Sequence, residues 1–454
     1  GDSGRVRFSG GKTYANSFLI NPGVSGATGQ GLLAHTGAGG VATVTGTITF
    51  NGMPTSGGAI LGSTTVGQEL RIEGPINGTA GAFSQRDGRL IYAGGGTLTG
   101  LANHTGVAII GANNGYPQGL SPLLGASGNA TFDLNGFNQA IAGLNFGFGG
   151  QVHRGTLSLG ATTLTLNGNL TTNGTTPAHE INATTGGTLA LGATPRIFTI
   201  NDSTALNDLT INNATITGAG LTKEGAGHLL LNGVTSAPAF TLNAGSLTLG
   251  ASAANTLTVP ALNLASGTNL NLDVAASGDL IQGGAVTASG ANLVLTQFGA
   301  SLSPGIYPLI TYTGTSPGVT NFTANTGNMG RALGQLVDTG SAIAYEVLSN
   351  DTVYWTGGID ALWQTGDTDN WKLTSDNSVT DYLNGDVITF ASAPTSADVE
   401  IAAANVTPAS VNFTNATGTD YIIFGGFGMT GGMSLTKNGT GSVLLDGTGA
   451  HSYT

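Results

Sequence analysis

The chain has no cysteine, which excludes a disulfide framework and a thiolate zinc site. Charge is nearly as scarce: Asp, Glu, Lys and Arg make up 8% of the 454 residues, against about 25% in an ordinary globular domain. Basic residues number 12 against 24 acidic ones, and the formal net charge is −12. Phosphates need clustered cations, so neither nucleic acid nor an anionic membrane is an expected partner. No apolar run reaches the about 18 residues that suggest a membrane-spanning helix, so no direct membrane insertion is expected. Glycine is plentiful, at 77 residues, but lacks the every-third-residue period of collagen. The first ten residues, GDSGRVRFSG, hold no apolar stretch of signal-peptide type, and the last six, GAHSYT, supply no cap. The sequence reads as a section cut from a longer protein.

What is present is apolar enough to fold: 39% of residues are hydrophobic and the mean hydropathy is +0.15. Thr, Val, Ile and Leu alternate with small or polar residues over windows of five to seven, then break at Gly, Asn or Asp. Thr43 to Phe50, Thr162 to Leu166, Leu209 to Ile216 and Asn269 to Val274 are examples. Period two is the signature of strands, and no stretch carries a helical period.

Short units also repeat. Gly155-Thr-Leu-Ser-Leu-Gly160, Gly187-Thr-Leu-Ala-Leu-Gly192 and Gly245-Ser-Leu-Thr-Leu-Gly250 share one pattern. Leucines two apart point to one face of a strand, so Leu157 with Leu159, Leu189 with Leu191, and Leu247 with Leu249 are inward pairs, each flanked by a corner glycine (Gly155, Gly187, Gly245). A second pattern, G-x-[VL]-x-[FL]-x-G, occurs from Gly4 to Gly10, at Gly227 with Leu229 and Leu231, and at Gly441 with Val443 and Leu445. A strand this short cannot bury its pair alone, so successive strands must stack. An all-β, right-handed parallel β-helix is expected, with Gly and Asn supplying left-handed corners. Coils of roughly 20 to 25 residues would give about 20 coils. A string of β-sandwiches would explain the alternation but would not require near-identical units.

The longest internal match joins Leu221-Thr-Lys-Glu-Gly-Ala-Gly-His-Leu-Leu-Leu-Asn-Gly233 to Leu435-Thr-Lys-Asn-Gly-Thr-Gly-Ser-Val-Leu-Leu-Asp-Gly447. With Leu242-Asn-Ala-Gly-Ser-Leu-Thr-Leu-Gly250, these residues resemble the autotransporter-associated β-strand repeat, also called the passenger-associated transport repeat. Val234 to Phe240 departs from the Tyr-containing stretch of that family, whereas His451-Ser-Tyr-Thr454 keeps it. The resemblance implies a large bacterial surface β-solenoid: extracellular or cell-surface, and structural or adhesive. Repetition and uncapped ends add the expectation of a filament-forming chain. Four segments are expected: a divergent solenoid stretch at 1–120, a solenoid with repeat units at 121–350, a Trp/Asp-rich junction module at 351–400 and a solenoid with a truncated repeat at 401–454. The expected partners are further chain of the same kind or end-to-end copies of itself, with surface glycans as a further candidate.

The densest polar-aromatic cluster holds all three tryptophans, Trp355, Trp363 and Trp371, among Asp360, Asp367, Asp369, Asp376, Asp381 and Asp386. Flanked by carboxylates, aromatic faces could form a carbohydrate platform; the favoured reading is packing, with Asp residues making Asx turns. Asp367 and Asp369 are the candidate calcium ligands, but D-T-D-N lacks the glycine and glutamate of an EF-hand loop, and no metal or cofactor is expected. Gly314-Thr-Ser-Pro-Gly318 matches G-x-S-x-G, yet Pro317 blocks the helix a nucleophile elbow requires. Gly1-Asp-Ser-Gly4 and Gly11-Lys-Thr13 are discounted as chance glycine patterns, and Arg86-Asp-Gly-Arg89 as a solvated turn. A polysaccharide lyase or hydrolase is the enzyme alternative, with Asp398 and Glu400 as its acidic pair, but basic residues are few and no enzyme is expected. Stability should come from stacked leucines and backbone ladders, with weak dependence on salt.

Overall fold

A computed structural model describes residues 6–20, 33–35, 40–51, 59–63, 68–85, 88–173, 178–250, 254–298, 302–366 and 370–453. The chain is all-β, its parallel coils stacked as a β-solenoid of about 16 turns. Among the described residues the only helical element is the three-residue 3-10 turn Val319–Asn321. Contacts divide the chain into two compact units. The first comprises Gly1–Asn271, Asp279–Leu293 and Ile310–Thr323; the second comprises Leu272–Gly278, Val294–Leu309 and Ala324–Thr454.

In the first unit, each turn of chain lays one strand over the equivalent strand of the turn before, so inward side chains align in columns. Phe132, Leu157, Ile181, Ile211, Leu231 and Leu249 are successive register partners on one face. Leu144, Leu170, Phe198, Lys223, Leu242 and Leu264 are successive partners on a second. A third, shorter face aligns Leu164, Leu189 and Ile216. Every one of these residues is buried, as period-two alternation requires when one side of a strand faces a core.

The repeated hexapeptides obey that rule without stacking on one another. Gly155–Gly160 and Ser246–Leu249 lie on the first face, whereas Thr188–Ala190 lies on the third. Their leucines are fully buried. The glycines divide by position: Gly160, Gly192, Gly245 and Gly250 adopt left-handed angles, and Gly155 instead opens a strand where a Cβ would collide with Phe146. Among the described residues, four of the five non-glycine residues with positive φ are asparagines, Asn114, Asn135, Asn213 and Asn377, whose short amide tolerates that region.

Coil length is less regular than expected. Register steps run 24 residues from Leu157 to Ile181, 30 from Ile181 to Ile211, 20 from Ile211 to Leu231 and 18 from Leu231 to Leu249. The count is about 16 turns rather than about 20, and part of the chain pairs antiparallel instead of coiling: Ala332–Asp338 pairs with Ala342–Asn350, and Trp371–Leu373 pairs with both Val353–Trp355 and Val379–Thr380. The described part of residues 26–120, solenoid-like only in composition, does coil. Ala42, Leu70, Leu90 and Ala108 are successive parallel partners. A glycine column supports the turn there: a Cβ on Gly74 would strike the carbonyl of Gly46, and one on Gly94 the carbonyl of Gly74.

In the second unit, one core gathers Val353, the three tryptophans, Tyr382, Ile388 and Phe390 with Val411, Phe413, Tyr421 and Ile423. Val387–Phe390 pairs in parallel with Ser410–Phe413, which pairs with Ser434–Lys437. The tryptophan segment therefore shares its interior with the coils that follow it.

Candidate functional site

The tryptophan cluster was the leading candidate, and the fold turns its rings inward. Trp355 is 2% exposed, and Trp363 and Trp371 are 0% exposed. Period two places Trp355 inward on Val353–Trp355, and the antiparallel partner brings Trp371 directly opposite. Ring centroids lie 5.1 Å apart for Trp355 and Trp371, 5.7 Å for Trp363 and Trp371, and 5.6 Å for Trp363 and Tyr382, all edge-to-face. Phe390 closes the group and stacks on Phe413 at 4.8 Å. These contacts use the ring faces that a sugar would need, so the carbohydrate platform has no aromatic surface in this arrangement. The Trp355 indole donates to the Ser396 carbonyl at 2.7 Å. The Trp363 and Trp371 indole nitrogens find no acceptor among the described residues.

The aspartates of the segment separate by role. Asp360 accepts the Leu362 N–H at 2.9 Å and Asp376 the Ser378 N–H at 2.8 Å, both two residues on, as Asx turns do. Hydrogen bonds from Ser378 hold Asp376 below the usual carboxylate range. Buried Asn370 ties the loop down, accepting the N–H groups of Ile359 and Asp360 and donating to Asp360 and the Leu362 carbonyl. Asp367 and Asp369, the candidate calcium ligands, lie outside the described residues. Asp386 is buried and clasped by Arg331 through two hydrogen bonds, Nε to Oδ1 at 2.9 Å and Nη2 to Oδ2 at 3.0 Å. The guanidinium also donates to Thr380 Oγ1 and to the Asp381 carbonyl. No local pattern announces this pair, because its members are 55 residues apart.

Three further clusters combine chemistry with burial. Lys223 is 0% exposed in the second-face column, its ammonium donating to the carbonyls of Gly225 (2.6 Å), Gly227 (2.5 Å) and Ala244 (2.9 Å). Three acceptors match three ammonium hydrogens, while burial pushes the pKa down to about 8. His104 is fully buried with Nδ1 2.8 Å from Gln85 Oε1 and Nε2 3.0 Å from the Tyr116 hydroxyl. An amide oxygen only accepts, so Nδ1 carries the proton and Nε2 accepts from Tyr116; desolvation lowers the pKa to about 3. His179 stacks on Phe146 and accepts the Gly155 N–H at Nδ1, and burial lowers its pKa to about 4.

The remaining sequence candidates are dispersed. Asp398 is exposed and Glu400 half-buried on the outward side of Asp398–Ile401. Ser316 in Gly314–Gly318 accepts the Gly318 N–H at 2.9 Å, and only a single 3-10 turn follows. Gly1–Gly4, Arg86 and Asp87 lie outside the described residues.

Comparison with protein-family models, with curated proteins and with solved structures finds no match for this chain. The fold stands on the chain's own register, and the resemblance to the passenger-associated repeat rests on Leu221–Gly250 and Leu435–Gly447.

Proposed function

We propose that the chain is a structural or adhesive segment of a large secreted, cell-surface β-solenoid that works by length and surface rather than by catalysis. The observation that carries this reading is the in-register column running from Phe132 through Leu157, Ile181, Ile211 and Leu231 to Leu249. Repeated residues are spent on stacking one coil on the next, the property that lets a solenoid lengthen without redesign. The asparagine ladder supports the same reading: Asn212 donates to Asn182 at 2.7 Å and Asn232 to Asn212 at 2.8 Å along the stacking direction. The resemblance of Leu221–Gly250 to the passenger-associated repeat supports the extracellular setting. Antibody raised against the chain should label intact bacteria of the source strain without permeabilisation, and surface proteolysis should remove the label. Labelling confined to permeabilised cells would overturn the proposal.

A further inference from the structure

In stacked parallel coils each strand is bonded to the coil before it and the coil after it, so open edges are short and protected. The hairpin of Ala332–Asp338 and Ala342–Asn350 departs from that arrangement. Its chain reverses at a turn in which the Thr339 N–H donates to the Ala342 carbonyl at 2.9 Å. Ala342–Asn350 has a further partner and is the inner strand. Among the described residues Ala332–Asp338 pairs with Ala342–Asn350 alone, with Leu333 across from Ser349 and Gln335 across from Glu346. The register slip beside Leu333 leaves Leu348 as the extra residue of the inner strand, so the outer strand runs regularly. The reversal of the chain, well inside the sequence, is what leaves this edge open.

Proteins commonly blunt such an edge with lysine, proline or a bulge in the edge strand. The sequence Ala332-Leu-Gly-Gln-Leu-Val-Asp338 has neither lysine nor proline, and its one charge is at the last position. Leu333, Gln335 and Val337 alternate onto one side of the strand. Leu333 is 67% exposed, Gln335 is exposed and Val337 is half-buried; Leu348, at the bulge, is 57% exposed. The edge is also self-complementary about Gln335. Antiparallel pairing with a second copy, centred there, sets Leu333 opposite Val337, Gly334 opposite Leu336, Ala332 opposite Asp338 and Gln335 opposite itself. Symmetry repeats the apolar pair, no like charges meet, and the central amide is donor and acceptor at once.

We infer that the free edge of Ala332–Asp338 pairs with the same edge of a second copy, joining two hairpins into one antiparallel sheet about a two-fold axis at Gln335. Backbone bonds supply the affinity, as in strand addition at any open sheet edge. The Leu333–Val337 pairs set the register. This side-by-side contact goes beyond the structural reading proposed above and uses neither end of the chain.

Sedimentation of the intact chain over a range of concentrations should show a monomer–dimer equilibrium. Leu333→Glu should raise the dimer dissociation constant about tenfold, as should Val337→Lys. An equimolar mixture of these two variants should recover the dimer, because the introduced carboxylate then faces the introduced ammonium while the second apolar pair stays intact. The absence of cysteine gives a second readout. Facing residues of an antiparallel pair stand about 4.5–5.5 Å apart at Cα, within the about 4.4–6.8 Å that a disulfide spans. Gln335→Cys should therefore form a disulfide-linked dimer under mild oxidation. Leu333→Cys should not, because its two copies stand about 13 Å apart along the strand, but it should cross-link when mixed with Val337→Cys. Unchanged circular dichroism spectra would show that the variants fold. A chain that stays monomeric at every concentration would overturn the inference. So would a dimer that Leu333→Glu leaves unchanged, or cross-linking of Leu333→Cys as fast as that of Gln335→Cys. None of these results depends on where the protein resides in the cell, so failure here and failure of the surface assay are separable.

Discussion

The two units fill their interiors differently. From Leu157 to Leu249 the first uses an aliphatic column in which one kind of side chain recurs turn after turn. The second uses an interlocked aromatic group, Trp355, Trp363, Trp371, Tyr382 and Phe390, and needs antiparallel strands to bring its members together. A column tolerates coils of 18 or 30 residues, because each residue meets only its partner above and below. An aromatic cluster has one arrangement of edges and faces, so every member depends on several others. The first solution can be lengthened; the second sets a unique core.

The largest test of that contrast is Arg331→Leu. Its guanidinium is the charge partner of buried Asp386 and also holds Thr380 and the Asp381 carbonyl. Removing one member of a buried pair leaves the other charge unpaired and costs about 3–5 kcal/mol. All three tryptophans of the chain belong to the second unit, so selectively excited tryptophan fluorescence reports that unit alone. The fluorescence-detected denaturation midpoint should fall sharply. An unchanged midpoint would show that the pair contributes nothing.

Ile211→Ala comes next and acts in the first unit. It deletes one member of a fully buried column and should cost about 2–5 kcal/mol, with the value set by how far Ile181 and Leu231 close the gap. Hydrogen exchange should accelerate in the strands on either side and fade with distance along the column. Uniform acceleration through the unit would mean that the columns act as one cooperative block.

Acid should separate the units through the buried histidines. His104 and His179, with values near 3 and 4 against an ordinary 6.5, both belong to the first unit. Below pH 6.5 the unfolded chain takes up protons that the folded chain refuses. Stability therefore falls with pH, by about 1.4 kcal/mol per pH unit for each histidine between 6.5 and the folded value. Desolvated Asp273, raised above its usual value, opposes this at lower pH, but it belongs to the second unit. Far-UV circular dichroism should show loss of the first unit at a pH where tryptophan fluorescence is unchanged. Replacing both histidines with glutamine should flatten the slope.

The repetition was legible because its physics is local. Alternation in Gly155–Gly160 gives an inward leucine pair whatever lies above it, and Asn or Gly at a corner reports its own backbone angle. Burial of the tryptophans was legible as a preference, since large rings close in sequence gain most by packing. Lys223 was visible only as a repeated letter; its cage forms when Ala244 arrives from the next coil. The Arg331–Asp386 pair and the Gln85–His104–Tyr116 group join residues that nothing in sequence connects. Residues 26–120 carry no copy of the Gly-Thr/Ser-Leu-x-Leu-Gly unit, so only their composition pointed to coils.

The smallest predicted effect sharpens the difference between the inside and outside of a coil. Asn212 lies on the outward side of the strand whose inward Ile211 fills the column, and its amide bridges Asn182 and Asn232. Asn212→Ala removes two hydrogen bonds, but the strand face is half-exposed and water can replace both, so the cost should be about 0.5–1.5 kcal/mol. Set against Ile211→Ala one residue away, that change should leave the exchange rates of neighbouring coils almost unaltered. A loss as large as that from Ile211 would mean that the amide ladder, rather than the apolar column, holds successive coils together.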